Sequence, residues 1–345
     1  MQSILRQASD PNPPQPMPDS DSAIPPEGPP DAAFVEVTPV PPVNATIRPP
    51  GSKSLTNRAL ACAAFARGKS VLTGALRSED TEVMIGALRD VGVTIELSDG
   101  GRRLEVDGST RRPAASTAKP LDLFIANSGT TVRFLTAALS AAGGNYRLHG
   151  VDRMHERPII DLVRAIEEVM EGRIWCESAD GCPPVHIQSQ GWRQADLSVA
   201  GSVSSQYLSG LLMAAPITQS TRDAAAPQVV RIHVAGELVS RPYVTMTTQV
   251  MRSFGAQVEV VDNPQQDPAE LRFDISSQGY RGIEYEIEPD ASAASYFWAI
   301  AAITGGSVTV EGLSADAMQG DVGFCEVLQA MGCNVDYRAD SITVT

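Results

Sequence analysis

Aromatic residues make up only 5% of this 345-residue chain, and its 27 Lys and Arg are outnumbered by 41 Asp and Glu. The formal charge of −14 excludes the broad basic face that non-specific attraction to nucleic acid or anionic lipid requires. Histidines number four, and the five cysteines (Cys62, Cys176, Cys182, Cys325, Cys333) contain no CxxC pair. An odd count without that spacing argues for reduced cytosolic thiols and against a disulfide framework or a zinc site. No uninterrupted apolar run approaches the roughly 18 residues of a membrane span, and no basic stretch followed by an apolar core opens the chain. A cytoplasmic protein without nucleic-acid or membrane partners is expected.

Proline, by contrast, is abundant near the start. Residues 1–32 are rich in Pro, Asp and Ser and poor in large apolar side chains, the composition of a disordered acidic leader. The remaining length suits two domain cores at about 100 to 200 residues each.

One pattern then recurs. Strands at 34–40 (FVEVTPV) and 45–49 (ATIRP) precede 51–58 (GSKSLTNR), which opens an Ala-rich helix over about 54–66. A strand (SVLTG), a helix with apolar spacing over 81–91, a helix-ending Gly92 and a strand (VTIEL) follow. The succession returns from Ser128 (SGTTVRFLTAALSAA), from Ser204 (SSQYLSGLLMAAP) and from Ser292 (SAASYFWAIAAITGG), with Gly172, Gly255 and Gly332 in the place of Gly92. Counted from Ser52, the starts are 76, 76 and 88 residues apart. Such regularity implies duplicated supersecondary units and an α/β fold with helices packed on sheets. The first helix of each unit is apolar nearly all round, so all four are expected to be buried.

Helix N-termini carry unpaired N–H groups and a partial positive charge, and here they are dressed with hydroxyls and cations. Lys53 at a helix start is a point charge suited to phosphate; Arg58, one turn on, can fork onto a carboxylate or phosphate, with Ser54 between them. Asn127, Gly129 and Thr130 form a tight turn that lets a ligand approach the backbone, and Arg133 lies one turn inside. Arg157 sits before a Pro that starts a helix. Ser204, Ser205 and Gln206 precede an apolar helix, and Ser240 with Tyr243, in LVSRPY, repeats the Arg-Pro helix start. Asp290 reads as an N-cap. Each group alone is equally an ordinary capped helix with solvated cations. If the units surround a common axis, the termini converge on one anion site. The nucleotide P-loop is absent, since no GxxxxGK[ST] occurs.

Together GSKSLTNRAL, NSGTTVRFL, RMHERPI, SVSSQYLSGLLMAAP, LVSRPY, DASAASYF and MQGD resemble the 5-enolpyruvylshikimate-3-phosphate synthases, from about residue 45 onward. The resemblance implies a two-domain enolpyruvyl transferase fold of repeated βαβαββ units, an inside-out α/β barrel. It implies transfer of the enolpyruvyl group of phosphoenolpyruvate to the 5-hydroxyl of shikimate 3-phosphate, with release of phosphate and no metal or organic cofactor. By motif, Lys53 would touch both substrates and act electrostatically; Ser54, Arg58, Ser204, Ser205, Gln206, Ser240 and Tyr243 would hold shikimate 3-phosphate; Asn127, Gly129 and Arg157 would lie on the phosphoenolpyruvate side. Gln206 would be near both ligands. Thr130, Arg133 and Asp290 follow the motif pattern without an implied direct contact. A monomer is expected.

Two departures stand out. Phe134 follows Arg133 where many family members carry Pro, which bears on the response to glyphosate. Four units are present where the resemblance implies six, without PDAAM-, RVKETDR- and DHR-type motifs. The acid and base residues that those motifs supply would lie beyond Thr345, so this chain by itself is expected to be nearly inactive. The expected domains are 51–287, binding shikimate 3-phosphate, and 33–50 with 288–345, a partial second domain exposing apolar surface. Two alternatives are a non-catalytic shikimate 3-phosphate-binding fragment and an enolpyruvyl transferase acting on UDP-N-acetylglucosamine. The latter is disfavoured because it carries a Cys before its Arg-Pro helix start, and 143–158 has none.

Overall fold

The computed structural model describes residues 38–111, 119–193, 195–202, 204–220, 228–265 and 270–345. The leader expected at 1–32 and residues 34–37 of the first expected strand lie outside these, and 38–43 carry no strand. Residues 41–345 form one compact unit.

The first repeat runs β1 (Asn44–Ile47), α1 (Lys53–Ala64), β2 (Ala66–Arg67), β3 (Lys69–Thr73), α2 (Glu79–Asp90), β4 (Thr94–Ser98) and β5 (Arg103–Asp107). The second runs β6 (Leu121–Phe124), α3 (Gly129–Ala142), β7 (Gly144–His149), α4 (Ile160–Val169), β8 (Met170–Cys176) and β9 (Val185–Trp192). The third runs β10 (Asp196–Ala200), α5 (Ser205–Ala214), β11 (Val229–Ala235), α6 (Arg241–Ser253), β12 (Val258–Asn263) and β13 (Glu270–Ser276). Short strands β14 (Tyr280–Arg281) and β15 (Glu284–Glu286) lead into the fourth: α7 (Ala291–Thr304), β16 (Ser307–Glu311), α8 (Phe324–Ala330), β17 (Val335–Tyr337) and β18 (Ser341–Val344).

The sequence cues that start the inner helices are realised as caps. Ser52 accepts from the Leu55 amide, Ser128 from Thr131, Ser204 from Gln206 and Asp290 from Ala293, each satisfying an N–H that the helix leaves orphaned. Because a parallel neighbour cannot be reached by a tight turn, α3 and α5 serve as crossovers between the parallel pairs β6/β7 and β10/β11.

The four-stranded sheets share one topology. Orders β6-β7-β9-β8 and β10-β11-β13-β12 are each built within one repeat, the first pair parallel and the others antiparallel. The other two exchange their first strand: β15 completes β15-β3-β5-β4, and β1 completes β1-β16-β18-β17. In the last of these, Thr345 extends the β17/β18 pairing, exchanging both backbone hydrogen bonds with Asn334 at 2.9 Å. The chain crosses twice, near 48–52 and near 287–290, between two buried apolar clusters. One is built from 55–287; the other holds Trp298, Val310, Cys325, Leu328 and Ile342 of the fourth repeat.

Two expectations are corrected. Gly172 does not end a helix: α4 stops at Val169 and β8 begins at the next residue. Gly172, at φ 130°, lies at a strand irregularity where a Cβ would overlap Gln188 O. Nor are all four inner helices buried. α1, α3 and α5 are enclosed, but α7 packs on β16, β18 and α8 of its own repeat, leaving Tyr296 73% and Ile303 82% exposed. No helix among the described residues is long and apolar enough to cross a membrane.

Candidate active site

α1 begins directly on the paired crossings. Gly51 bridges Pro289, the Ser52 amide donates to Glu288 O at 2.9 Å, and the Asp290 amide donates to Pro50 O at 2.8 Å. A Cβ at Gly51 would overlap Gly74 O, so only glycine permits this approach. At the first residue of α1, Lys53 Nζ meets Asp80 Oδ2 at 3.1 Å, and its backbone N–H points to Asp290 Oδ2 at 3.4 Å. Since Asp290 Oδ1 accepts from Ala293, one carboxylate joins the starts of α1 and α7.

Arg58 is 3% exposed and ties three repeats together. Its Nε donates to Thr247 Oγ1 at 2.8 Å and its Nη1 to Ser54 O at 3.0 Å; Nη2 reaches Ser209 Oγ and Tyr243 O, both at 3.4 Å. The guanidinium carbon lies 5.4 Å from the centre of the Phe134 ring. All of these partners are neutral. Burial pulls the Arg58 pKa down to about 10, still well above neutrality. The guanidinium is thus a largely desolvated positive charge at the joint of α1, α5 and α6.

At the start of α3, Arg133 and Arg157 close on Gly129. A Cβ there would overlap Arg157 Nη2 and lie 2.7 Å from Arg133 Nη1, so the glycine makes room for two guanidinium groups at a helix N-terminus. Arg133 Nη1 donates to Gln206 Oε1 at 2.5 Å, joining α3 to the first turn of α5, and its guanidinium lies over Tyr207. Arg157 Nη1 donates to Asn127 O at 2.9 Å. Desolvation, opposed by Tyr207 and reinforced by Arg157, lowers the Arg133 pKa.

None of the ion pairs among the described residues involves Arg58, Arg133 or Arg157. In a chain of charge −14, three cations without carboxylate partners near helix starts leave a positive local field unneutralised. Backbone strain collects here too. Ala126 (φ 44°), just before Asn127, and Ser240 (φ 54°) are two of the three non-glycine residues with positive φ among those described.

The expected residues fall into two linked groups. Lys53, Ser54, Arg58 and Tyr243 lie along the α1/α6 seam; Asn127, Gly129, Arg133, Arg157 and Gln206 lie at the α3/α5 starts; and Arg58 over Phe134 joins them. The side chains of Ser54, Thr130, Ser205 and Ser240 make no hydrogen bond among the described residues, and Ser204 is occupied as a cap. Asp290 is an N-cap that also meets Lys53. Thr345 belongs to neither group: its backbone is paired with Asn334 in the fourth repeat. Sequence reasoning missed Thr247, Ser209 and Asp80. A hydroxyl four residues after Tyr243, on the same helix face, was the available signal for Thr247.

The EPSP synthase family (3-phosphoshikimate 1-carboxyvinyltransferase) matches residues 37–345. Over 321 residues the chain is 40% identical to the chloroplastic 3-phosphoshikimate 1-carboxyvinyltransferase of Arabidopsis thaliana, covering 91% of this chain and 59% of that protein. Over 314 residues it is 42% identical to the Burkholderia cenocepacia (strain HI2424) protein of that name, covering 90% and 68%. It superposes on the solved EPSP synthase of Acinetobacter baumannii with a TM-score of 0.69 at 24% identity, covering 89% of this chain and 66% of that one. The chain spans 58–59% of the length of the plant relatives it matches and about two thirds of the bacterial ones. By motif, repeat architecture and these likenesses, the chain belongs to the EPSP synthase family.

Proposed function

We propose that the protein transfers the enolpyruvyl group of phosphoenolpyruvate to the 5-hydroxyl of shikimate 3-phosphate, and that these residues supply the shikimate 3-phosphate site with one wall of the phosphoenolpyruvate site. The carrying observation is the gathering of Arg58 from the first repeat with Arg133 and Arg157 from the second, without carboxylate partners, near helix starts. Two anions that repel each other need such a field to be held in contact, and positioned donors also stabilise charge as it develops.

In this reading the substrate hydroxyl oxygen gives up its proton and bonds to the enol carbon while the methylene carbon gains a proton. The resulting tetrahedral intermediate then expels phosphate and loses a proton from its new methyl group, which forms the enol ether of the product. Lys53 lies between the two anions. Ser54, Arg58, Ser204, Ser205, Gln206, Ser240 and Tyr243 bind shikimate 3-phosphate, while Asn127, Gly129 and Arg157, supported by Arg133, take the phosphoenolpyruvate side. Supporting this, the side chains of Ser54, Ser205 and Ser240 have no internal hydrogen bond among the described residues. Residues 51–287 form the substrate-holding domain, and 33–50 with 288–345 belong to a second; the two apolar clusters and exchanged strands support that division. The same reading takes the protein as cytoplasmic and monomeric.

Calorimetry with shikimate 3-phosphate, paired with a phosphate-release assay containing both substrates, tests it. Saturable binding that Arg58→Ala or Lys53→Met weakens by about tenfold or more is expected, the scale of losing a charge-assisted contact. Binding without phosphate release assigns this chain a holding role only. Absence of binding overturns the assignment.

A further inference from the structure

The MQGD stretch at 318–321 lies between β16 and α8, and none of the substrate residues assigned above belongs to it. Its Gln319 is nonetheless 2% exposed, an uncommon place for an amide unless each of its polar atoms is satisfied. Gln319 Oε1 accepts from the Ala291 amide at 3.0 Å; Nε2 donates to Pro289 O at 2.6 Å and to Glu288 Oε2 at 3.2 Å. The Glu288 carboxylate also accepts from the Met318 amide, at 3.0 and 3.2 Å, closing a ring around the second crossing.

The same short segment meets the start of α1. Glu288 O takes the Ser52 amide, Pro289 bridges Gly51, the Asp290 amide reaches Pro50 O, and Asp290 Oδ2 faces the Lys53 amide. Residues 288–291 are therefore a spacer held by Gln319 and ending on Lys53. We infer that Gln319 is a positioning residue for Lys53, setting where the fourth repeat places the cation of the first. The inference rests on the reading that Lys53 meets substrate. The chemistry demands an amide: a carboxylate at 319 would set oxygen against Pro289 O and Glu288, and an aliphatic side chain would orphan the Ala291 amide.

The rival role is purely structural, with Gln319 serving only the start of α7. A double-mutant cycle separates the two. In the full chain, Gln319→Glu is expected to weaken shikimate 3-phosphate binding by about tenfold. In a Lys53→Met background the same change is expected to cost less than about twofold, because interacting sites are non-additive. Equal losses in both backgrounds, or no loss in the first, overturn the inference.

Amide hydrogen exchange provides a ligand-free arm using Gln319→Asn, whose shorter side chain cannot span both contacts. Faster exchange is expected at Ser52 and Lys53 as well as at Ala291; acceleration confined to Ala291 overturns the inference. This arm also decides if Gln319→Glu does not fold. If the wild-type chain fails to bind shikimate 3-phosphate, the proposed function falls, while the exchange pattern still answers whether Gln319 positions Lys53.

Discussion

Arg58 Nε donates to Thr247 Oγ1 at 2.8 Å, a bond from the first repeat to the third that sets a buried cation against a neutral hydroxyl. The hydroxyl also lies 2.8 Å from Ser209 Oγ and from Tyr243 O, so its donor and acceptor capacity are both used. Thr247→Val keeps the shape and removes the acceptor. It is expected to lower the unfolding free energy by about 1.5 to 3 kcal/mol, the range for a hydrogen bond to a charged group. Thr247→Ser should restore most of that. Urea denaturation of the three proteins checks it; equal midpoints for Val and wild type would show that the bond contributes nothing.

Gly129→Ala is expected to separate the two substrates. The added Cβ must displace the guanidinium groups of Arg157 and Arg133, which are the far ends of flexible side chains, while the backbone at this first position of α3 needs no glycine conformation. Phosphoenolpyruvate affinity should therefore fall by about tenfold, one misplaced charge contact, with thermal stability unchanged or higher. Parallel titrations with each substrate decide. Equal weakening of both would place Gly129 away from the phosphoenolpyruvate side.

Asp80 competes for Lys53. The pair is half exposed, with side-chain exposures of 50% and 29%, and pairs of this kind contribute about 0 to 1 kcal/mol. Asp80→Asn should leave stability almost unchanged and tighten shikimate 3-phosphate binding, because the ligand no longer displaces a carboxylate. The gain should shrink in high salt. Weaker binding by Asp80→Asn would show instead that the carboxylate helps to present Lys53.

Glu177 predicts a pH dependence remote from the site. Two bonds from Arg147, at 2.6 and 3.2 Å, together with His186 Nε2 at 2.7 Å, pull its carboxyl from 4.5 to about 2. A depressed carboxyl stabilises the fold above its unfolded value. This contribution is therefore present above pH 4.5 and is lost as pH falls from there through 2. Glu177→Gln should flatten the stability curve in that acid window and leave it unchanged at about pH 7 relative to its own plateau. Parallel curves for the two proteins below pH 4.5 would contradict the assignment. Because the group is partly exposed, added salt should reduce the difference.

The outer face of α7 predicts association. Tyr296 and Ile303, with Met331 of α8 at 76% exposure, present large apolar groups to water. The double substitution Tyr296→Lys and Ile303→Lys should leave folding intact and reduce binding of an apolar dye and concentration-dependent self-association. A loss of cooperative unfolding would show that the face supports the fold.

The repeats, the helix starts and the cations were legible because each is local: a hydroxyl cap before an apolar run has the same meaning wherever it stands. Lys53, Gly129 and Arg157 could be picked out on that basis. Gln319 could not, since its role depends on residues 288–291, brought near only by tertiary structure. Thr247 was marked only by its place on the Tyr243 face of α6, its partner Arg58 being equally remote in sequence. Gly172 was misread because a positive-φ glycine serves a strand irregularity as well as a helix end. The exposure of α7 was hidden for a related reason: its composition matches that of the enclosed α3 and α5, and burial depends on which repeats surround a helix.

The exchanged first strands impose an order on biosynthesis. As the chain leaves the ribosome, β3 presents an unpaired backbone edge until β15 is made, when Val71 meets Glu284. β1 waits longer, since its Asn44 pairs with Ser307. An open edge is a template for pairing with another chain, and closures between such distant segments are slow. The nascent protein thus passes through a long interval in which early-made repeats can fold locally but two of its sheets remain open, the stage at which a chaperone that shields strand edges would act.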